Sequence, residues 1–305
     1  MSGRHGPVRR PFLAPPEILG LDAAGADGLL NRLEADVPVG PGLLELHLAP
    51  GSEAIVFGDT HGDWPSTVAV AATFLADPGA HVLLGLGDDI DRPPEDCPNG
   101  SVANALYLLG LRAAYPDRVF LLQGNHEATR RIPVVPHDLP EEVDDLWGPN
   151  VERYHRLLGL LERGDLAART ESGVYFAHAG FPDGLRRSDW RERFQSVAEP
   201  MMCDLLWRDA AASQMDRGLS PPFGASELGS FLTTIGARCF VRGHDPDLTG
   251  RQLYGGRCLT IHTTRVYERY GGVLLARVSL DRDVGSTEGV VVEHLPTEGR
   301  SFPEP

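Results

Sequence analysis

Three apolar, β-prone runs each break off into a glycine-flexed loop that carries Asp, His or Asn. The runs are Ala54-Ile55-Val56-Phe57, His81-Val82-Leu83-Leu84-Gly85-Leu86 and Arg118-Val119-Phe120-Leu121-Leu122. The loops that follow read Gly58-Asp59-Thr60-His61-Gly62, Gly87-Asp88-Asp89-Ile90-Asp91-Arg92 and Gly124-Asn125-His126-Glu127. Each run reads as a buried strand ending in a polar loop. Such strand ends, taken in order, would gather hard oxygen ligands and imidazoles around one point. That donor set suits a pair of divalent metals.

The surrounding chain alternates in kind. Residues 1–16 are rich in Pro and Arg and are expected to form a mobile arm. A helix is expected over 17–33 and a strand over 43–48. Helices at 67–75 and 102–114 separate the strands at 54–58, 81–86 and 118–122, with a Pro-rich insert at Pro93–Gly100. This βαβαβ series predicts a largely parallel sheet with helices outside it. Residues 128–149 read as a loose, polar stretch, and a helix follows at 151–163. Beyond it come a strand at 173–178, helical regions at 198–207 and 225–235, and a β-rich end at 239–241, 258–262, 272–280 and 289–294. No repeat and no low-complexity linker divides the chain, so one compact domain is expected over 17–305.

At 305 residues the chain can bury a substantial core. No run approaches the length of a membrane helix, and the N-terminus lacks an apolar signal core. The four cysteines form no close pair, which suits a reducing cytoplasm. The net charge of −15 argues against a surface that coats nucleic acid. All 28 basic residues are arginine, so any phosphate clamp must be built from forked guanidinium donors.

Asp59 and His61, two apart on one loop, can chelate a single ion. Asp88 and Asn125 end the next two strands and offer an oxygen to bridge to a second ion. Two later strands also end in a histidine beside a glycine: Val174 to Gly180 contains His178, and Cys239 to His244 contains Gly243-His244. A lone histidine is more often a core or loop residue, and His5, His47, His81, His137, His155 and His294 are read so. Asp59 and Asp88 also suit turns after strands, but turns do not explain the histidines beside them.

Taken together, these segments resemble the metallophosphoesterase superfamily and, in detail, the PPP-type serine/threonine protein phosphatases. His178-Ala179-Gly180 resembles the family's HGG segment and Arg242-Gly243-His244 its R-(A/G)-H segment. Asp204 to Asp209 is similar to DLLWSDP, and Asp216-Arg217-Gly218-Leu219-Ser220 with Phe223-Gly224 to DRGVSFTFG. The resemblance covers roughly residues 50 to 280. It implies an α/β metallophosphoesterase fold: a central β-sandwich of two mixed sheets flanked by helices, in four layers. It also implies that Asp59, His61 and Asp88 bind the first metal, while Asp88, Asn125, His178 and His244 bind the second. By the same resemblance Arg92 and Arg217 clamp phosphate oxygens, His126 is the general acid and Asp91 orients it. Two divalent ions are implied, manganese first, with iron, zinc or magnesium as alternatives.

The match departs from the family at Pro93, which stands where GDxxDRG ends in glycine, and at the insert behind it. Proline fixes φ, so the backbone after Arg92 must differ locally. The family's SAPNYC loop is replaced by Thr263-Thr264-Arg265-Val266-Tyr267-Glu268, in which Tyr267 keeps an aromatic place. His262 and Arg265 have no family counterpart and are expected to lie near the chemistry rather than in it.

The function expected is metal-dependent hydrolysis of phosphomonoesters on proteins or peptides, at phosphoserine or phosphothreonine and, as an extension, phosphotyrosine. No nucleic acid or membrane partner is expected, a regulatory subunit is not identifiable, and the location expected is cytoplasmic. The alternatives are a dinucleoside polyphosphate (diadenosine tetraphosphate) hydrolase and a catalytically silent scaffold that binds phosphorylated partners. The former usually ends its third motif in Asp rather than Glu127, and the latter would carry degenerate ligands.

Overall fold

The computed structural model describes residues 12–47, 51–215 and 217–296. Its strands are β1 (Leu43–Leu46), β2 (Glu53–Phe57), β3 (His81–Gly85), β4 (Val119–Leu121), β5 (Ala167–Thr170), β6 (Val174–Ala177), β7 (Cys239–Arg242), β8 (Gln252–Leu253), β9 (Cys258–Thr260), β10 (Leu274–Ser279) and β11 (Val291–His294). Its helices are α1 (Pro15–Leu19), α2 (Ala23–Asp36), α3 (Trp64–Leu75), α4 (Gly100–Ala114), α5 (Leu139–Trp147), α6 (Val151–Leu161), α7 (Trp190–Gln195), α8 (Glu199–Trp207), α9 (Ala225–Ile235) and α10 (Glu268–Gly271). None of them is long and apolar enough to cross a membrane.

The strands form two mixed sheets, ordered β11-β10-β2-β3-β4 and β1-β5-β6-β7-β9-β8. In the first, β2, β3 and β4 run parallel and β10 closes them antiparallel. In the second, β6, β7 and β9 run parallel. Side chains alternate across a strand, and β2 shows the result. Ala54 and Val56 enter a core shared with Val174, Phe176, Val241 and Leu259 of the other sheet. Ile55 and Phe57 face the opposite way, into a core built with Leu30, Phe74, Leu106 and Leu157 of the helices. The second sheet turns Tyr175 and Phe240 outward onto Phe194, Leu205 and Phe231. The layers are therefore helix, sheet, sheet, helix. Each large apolar side chain buried this way contributes roughly 1.5–3 kcal/mol.

Several expectations are corrected. The helix expected over 17–33 is broken into α1 and α2, because the Asp22 side chain caps the second by accepting from Gly25 N–H at 2.8 Å. Part of the expected mobile arm is packed: Phe12 meets Tyr107 edge-on at 5.9 Å, and α1 begins at Pro15. Residues 1–11 of that arm lie outside the described residues. The stretch 128–149, read as loose, contains α5. Strand β5 was not expected, since Ala-Ala-Arg-Thr has little β propensity. It forms because β1 and β6 pair on either side of it.

Candidate metal centre

Six parallel strands, three from each sheet, deliver their carboxyl ends to one edge. Asp59 and His61 follow β2, Asp88 to Arg92 follow β3, and Asn125 and His126 follow β4. From the other sheet come His178 after β6, His244 after β7 and His262 after β9. All but Arg92 are buried. The backbone reaches this arrangement under tension. His61, Asp88, Asp91, Arg92 and His244 take φ of 45°, 58°, 64°, 54° and 72°, in the left-handed region that non-glycine residues avoid. Such conformations cost roughly 1–3 kcal/mol each and concentrate where function demands them. Close approach also explains the glycines: a Cβ on Gly124 would lie 2.1 Å from Asp88 Oδ1.

Asp88 stands at the middle. Its Oδ2 lies 3.8 Å from His61 Nε2, 3.5 Å from His178 Nε2 and 3.9 Å from His126 Nε2. Its Oδ1 accepts from the His126 N–H at 3.0 Å. Burial would raise this carboxyl, but the facing imidazoles outweigh burial and hold it below its ordinary value. Glu127, whose role the sequence did not suggest, holds the loop: its carboxylate accepts from the N–H groups of Asp88, Asp89 and Gly124 at 2.7–2.8 Å. Burial pushes its own pKa up to about 7.

The donor set fits divalent cations. His178 Nδ1 lies 3.1 Å from the Leu86 carbonyl, so it donates there and Nε2 keeps a lone pair. That lone pair faces Asn125 Oδ1 at 2.9 Å and His244 Nδ1 at 3.0 Å. His244 Nε2 in turn lies 3.6 Å from Asp209. His61 repeats the arrangement, with Nδ1 3.0 Å from the Ile90 carbonyl and Nε2 unpartnered among the described residues. Burial pushes His61 down to about 4 and His244 well below its ordinary value, which keeps both rings neutral. Imidazole nitrogens and carboxylate oxygens converging on one buried space are what a cation site requires. Asp59 faces the same region, with Oδ2 3.9 Å from His61 Nε2 and Oδ1 accepting from His244 N–H at 3.1 Å.

His126 Nδ1 donates to Asp91 Oδ2 at 2.6 Å. Burial disfavours its charge, yet Asp88 and Asp91 together raise its pKa. Here the sequence reading fell short. His137, read as ordinary, donates through Nδ1 to the same Asp91 oxygen at 2.9 Å, and its Nε2 meets Tyr154 Oη at 3.0 Å. The amides of Asp138 and Leu139, at the start of α5, donate to Asp91 Oδ1 at 2.8 and 3.0 Å. Burial would raise Asp91, but these imidazoles outweigh it and hold the group well below the carboxylate range.

Arg92 is placed beside the cluster, its Nη1 donating to Tyr267 Oη at 2.9 Å. Its N–H donates to Asp138 Oδ2 at 2.8 Å, so the backbone ahead of Pro93 is anchored despite the missing glycine. Arg217 donates to Asp209 and to Asp245, and reaches the His244 carbonyl at 3.1 Å. Arg265 is bound to Asp63 and Asp96 and ties the Pro93–Gly100 insert to the following loop. His262, expected near the chemistry, is fully buried, with Nε2 3.3 Å from Asp59 Oδ2. Its signal was present in the sequence, since Cys258-Leu259-Thr260-Ile261 is another apolar run ending in histidine.

Comparisons with known proteins place the chain in a family. Residues 54–248 match the model of the calcineurin-like phosphoesterases. The catalytic subunit of serine/threonine-protein phosphatase 4 from Kluyveromyces lactis is 30% identical over 75% of this chain and 74% of its own length. Human serine/threonine-protein phosphatase 5 is 28% identical over 74% of this chain, which spans 45% of that longer protein. Among solved structures, a protein serine/threonine phosphatase from Saccharomyces cerevisiae superposes with a TM-score of 0.68 at 21% identity, covering 96% of this chain and 92% of that one. A cold-active protein-tyrosine phosphatase from a psychrophilic Shewanella gives 0.53 at 16% identity, over 85% and 83%. The last two likenesses speak to the fold. The chain belongs to the calcineurin-like phosphoesterase family and, within it, to the serine/threonine protein phosphatases.

Proposed function

We propose that this chain hydrolyses phosphoserine and phosphothreonine esters in proteins or peptides. The observation that carries the reading is the Asp88 carboxylate, one oxygen of which faces the imidazole nitrogens of His61 and His178 at 3.8 and 3.5 Å. Asp59, His61 and Asp88 would hold one divalent ion, and Asp88, Asn125, His178 and His244 a second. Such a pair, with manganese the first choice over iron, zinc or magnesium, lowers the pKa of water and neutralises phosphoryl charge. Arg92 and Arg217 bind and orient the phosphoryl oxygens through guanidinium N–H donors. His126, whose charged form Asp88 and Asp91 favour against burial, would supply the proton on Nε2 to the departing serine or threonine oxygen.

The test is a substrate panel run with manganese: phosphoserine, phosphothreonine and phosphotyrosine peptides beside diadenosine tetraphosphate. The reading expects the first two to give the highest kcat/KM. A clear preference for the dinucleotide would overturn it.

A further inference from the structure

Resting on that reading of the metal site, we propose that His262 is an additional nitrogen ligand of the ion held by Asp59, His61 and Asp88. The backbones of Asp59 and His262 form a parallel bridge, so two neighbouring strand ends bring both side chains to one place. His262 is fully buried, and its Nε2 lies 3.3 Å from Asp59 Oδ2. The tautomer is set from the far side of the ring. Thr249 Oγ1 donates to the Pro246 carbonyl at 2.7 Å and lies 2.8 Å from His262 Nδ1. A hydroxyl has one proton to give, so Nδ1–H is the donor in that second contact. On a singly protonated ring Nε2 then carries a lone pair that faces a carboxylate, and among the described residues it has no hydrogen-bond partner.

A buried lone pair against a carboxylate oxygen is repulsive unless a cation lies between them. His61 shows the same signature towards the same oxygen, with Nδ1 engaged by a carbonyl and Nε2 3.9 Å from Asp59 Oδ2. The ring of Tyr267 stands edge-on to both imidazoles at 5.4 Å, which locks their orientations together. Engagement of the distal nitrogen by a fixed partner is how proteins orient ligating histidines. A second imidazole on this ion shifts its preference from magnesium towards ions that favour nitrogen, such as zinc, iron or cobalt.

The experiment is a crystal structure of the wild-type chain loaded with Co(II), with ions located by anomalous scattering. It is joined to Co(II) titrations of the wild type, His262→Ala and His262→Gln. The expected result is His262 Nε2 within about 2.3 Å of the ion beside Asp59. Both variants should then lose more than about a hundredfold in affinity for that ion, beyond the 10–100-fold typical of an outer-shell partner. The proposal is overturned if both ions are present but Nε2 stays beyond about 3 Å, or if His262→Gln retains wild-type affinity, since glutamine could still position Asp59. No cobalt at Asp59 and Asp88 in the wild type would refute the metal-site reading itself.

Discussion

Replacing Asp91 by Asn isolates the proton-donating arm of the site from the metal-holding arm. In the native chain Oδ1 accepts two amides of the α5 start at 2.8 and 3.0 Å, and Oδ2 accepts the Nδ1 protons of His126 and His137 at 2.6 and 2.9 Å. Asparagine can keep the amide contacts through its carbonyl, so the backbone should hold. Its NH2 group would then stand where Oδ2 stood, a donor facing two donors. His126 must turn its Nδ1 into an acceptor and become a neutral ring with its proton on Nε2. A neutral imidazole is a far weaker acid than an imidazolium. Loss of a general acid costs about 10²–10⁴ in rate, or roughly 2.7–5.4 kcal/mol of barrier. We expect kcat for a phosphoserine peptide to fall by that factor in Asp91→Asn, and kcat for an aryl phosphate by less than about tenfold, since a phenolate leaves without a proton.

The pH dependence has a definite sign. Asp88 and Asp91 raise the His126 pKa against the opposing effect of burial, which extends the acid form upward in pH. Without the Asp91 charge the alkaline limb of the phosphopeptide profile should move to lower pH. His137→Phe, which removes one of the two imidazoles on Asp91, should give a smaller loss of the same kind. Steady-state kinetics on both substrates across pH 5–9 reads all of this. Equal losses for peptide and aryl phosphate in Asp91→Asn would refute the reasoning.

Other perturbations probe the support of the site. A Cβ on Gly243 would lie 2.1 Å from Asp59 Oδ1, so Gly243→Ala should push that carboxylate aside and weaken manganese binding at least about tenfold, measured by calorimetric titration; unchanged affinity would contradict it. Arg92→Ala should lower kcat/KM for phosphopeptide about 10²–10³-fold with metal content intact, and a wild-type value would remove Arg92 from phosphate binding. Burial pushes Glu142 from its ordinary 4.5 to about 7, so the folded chain takes up a proton between those values and loses stability as pH rises through them. Glu142→Gln cannot titrate, and its melting temperature relative to wild type should improve between pH 5 and pH 8, by at most about 3 kcal/mol in stability. A constant difference would refute the assignment.

The strands and their loops were legible because two signals coincide at each: an apolar run, then a glycine next to a ligand-type side chain. His178 and His244 carried the same pair of signals. His262 ends an equally apolar run but is followed by Thr263-Thr264 rather than glycine, and without that cue it read as a bystander. His137 had no local signal at all. It sits in a Pro-containing polar stretch, and its contact with Asp91 exists because α5 starts against the β3 loop, 46 residues away in sequence. Glu127 was visible as a residue but not as a role, since accepting three amides is a property of how the β3 and β4 loops approach each other. Helix α5 was hidden by the prolines that precede it, though Pro140 lies in its first turn, where proline is tolerated. What remained unread was long-range pairing rather than local propensity.

The residues at the six strand ends are proposed to hold divalent ions that drive phosphoester hydrolysis, and that role stands or falls on one measurement. The role is tested most directly by phosphate release from a phosphoserine peptide with manganese, measured alongside bound metal per chain, for the wild type, Asp88→Ala and His178→Ala. Two ions and turnover are expected in the wild type. Reduced metal content and loss of turnover by at least about a thousandfold are expected in both variants, in line with removing a catalytic metal's Lewis acidity. Full activity in both variants, or turnover by a metal-free wild type, would contradict it.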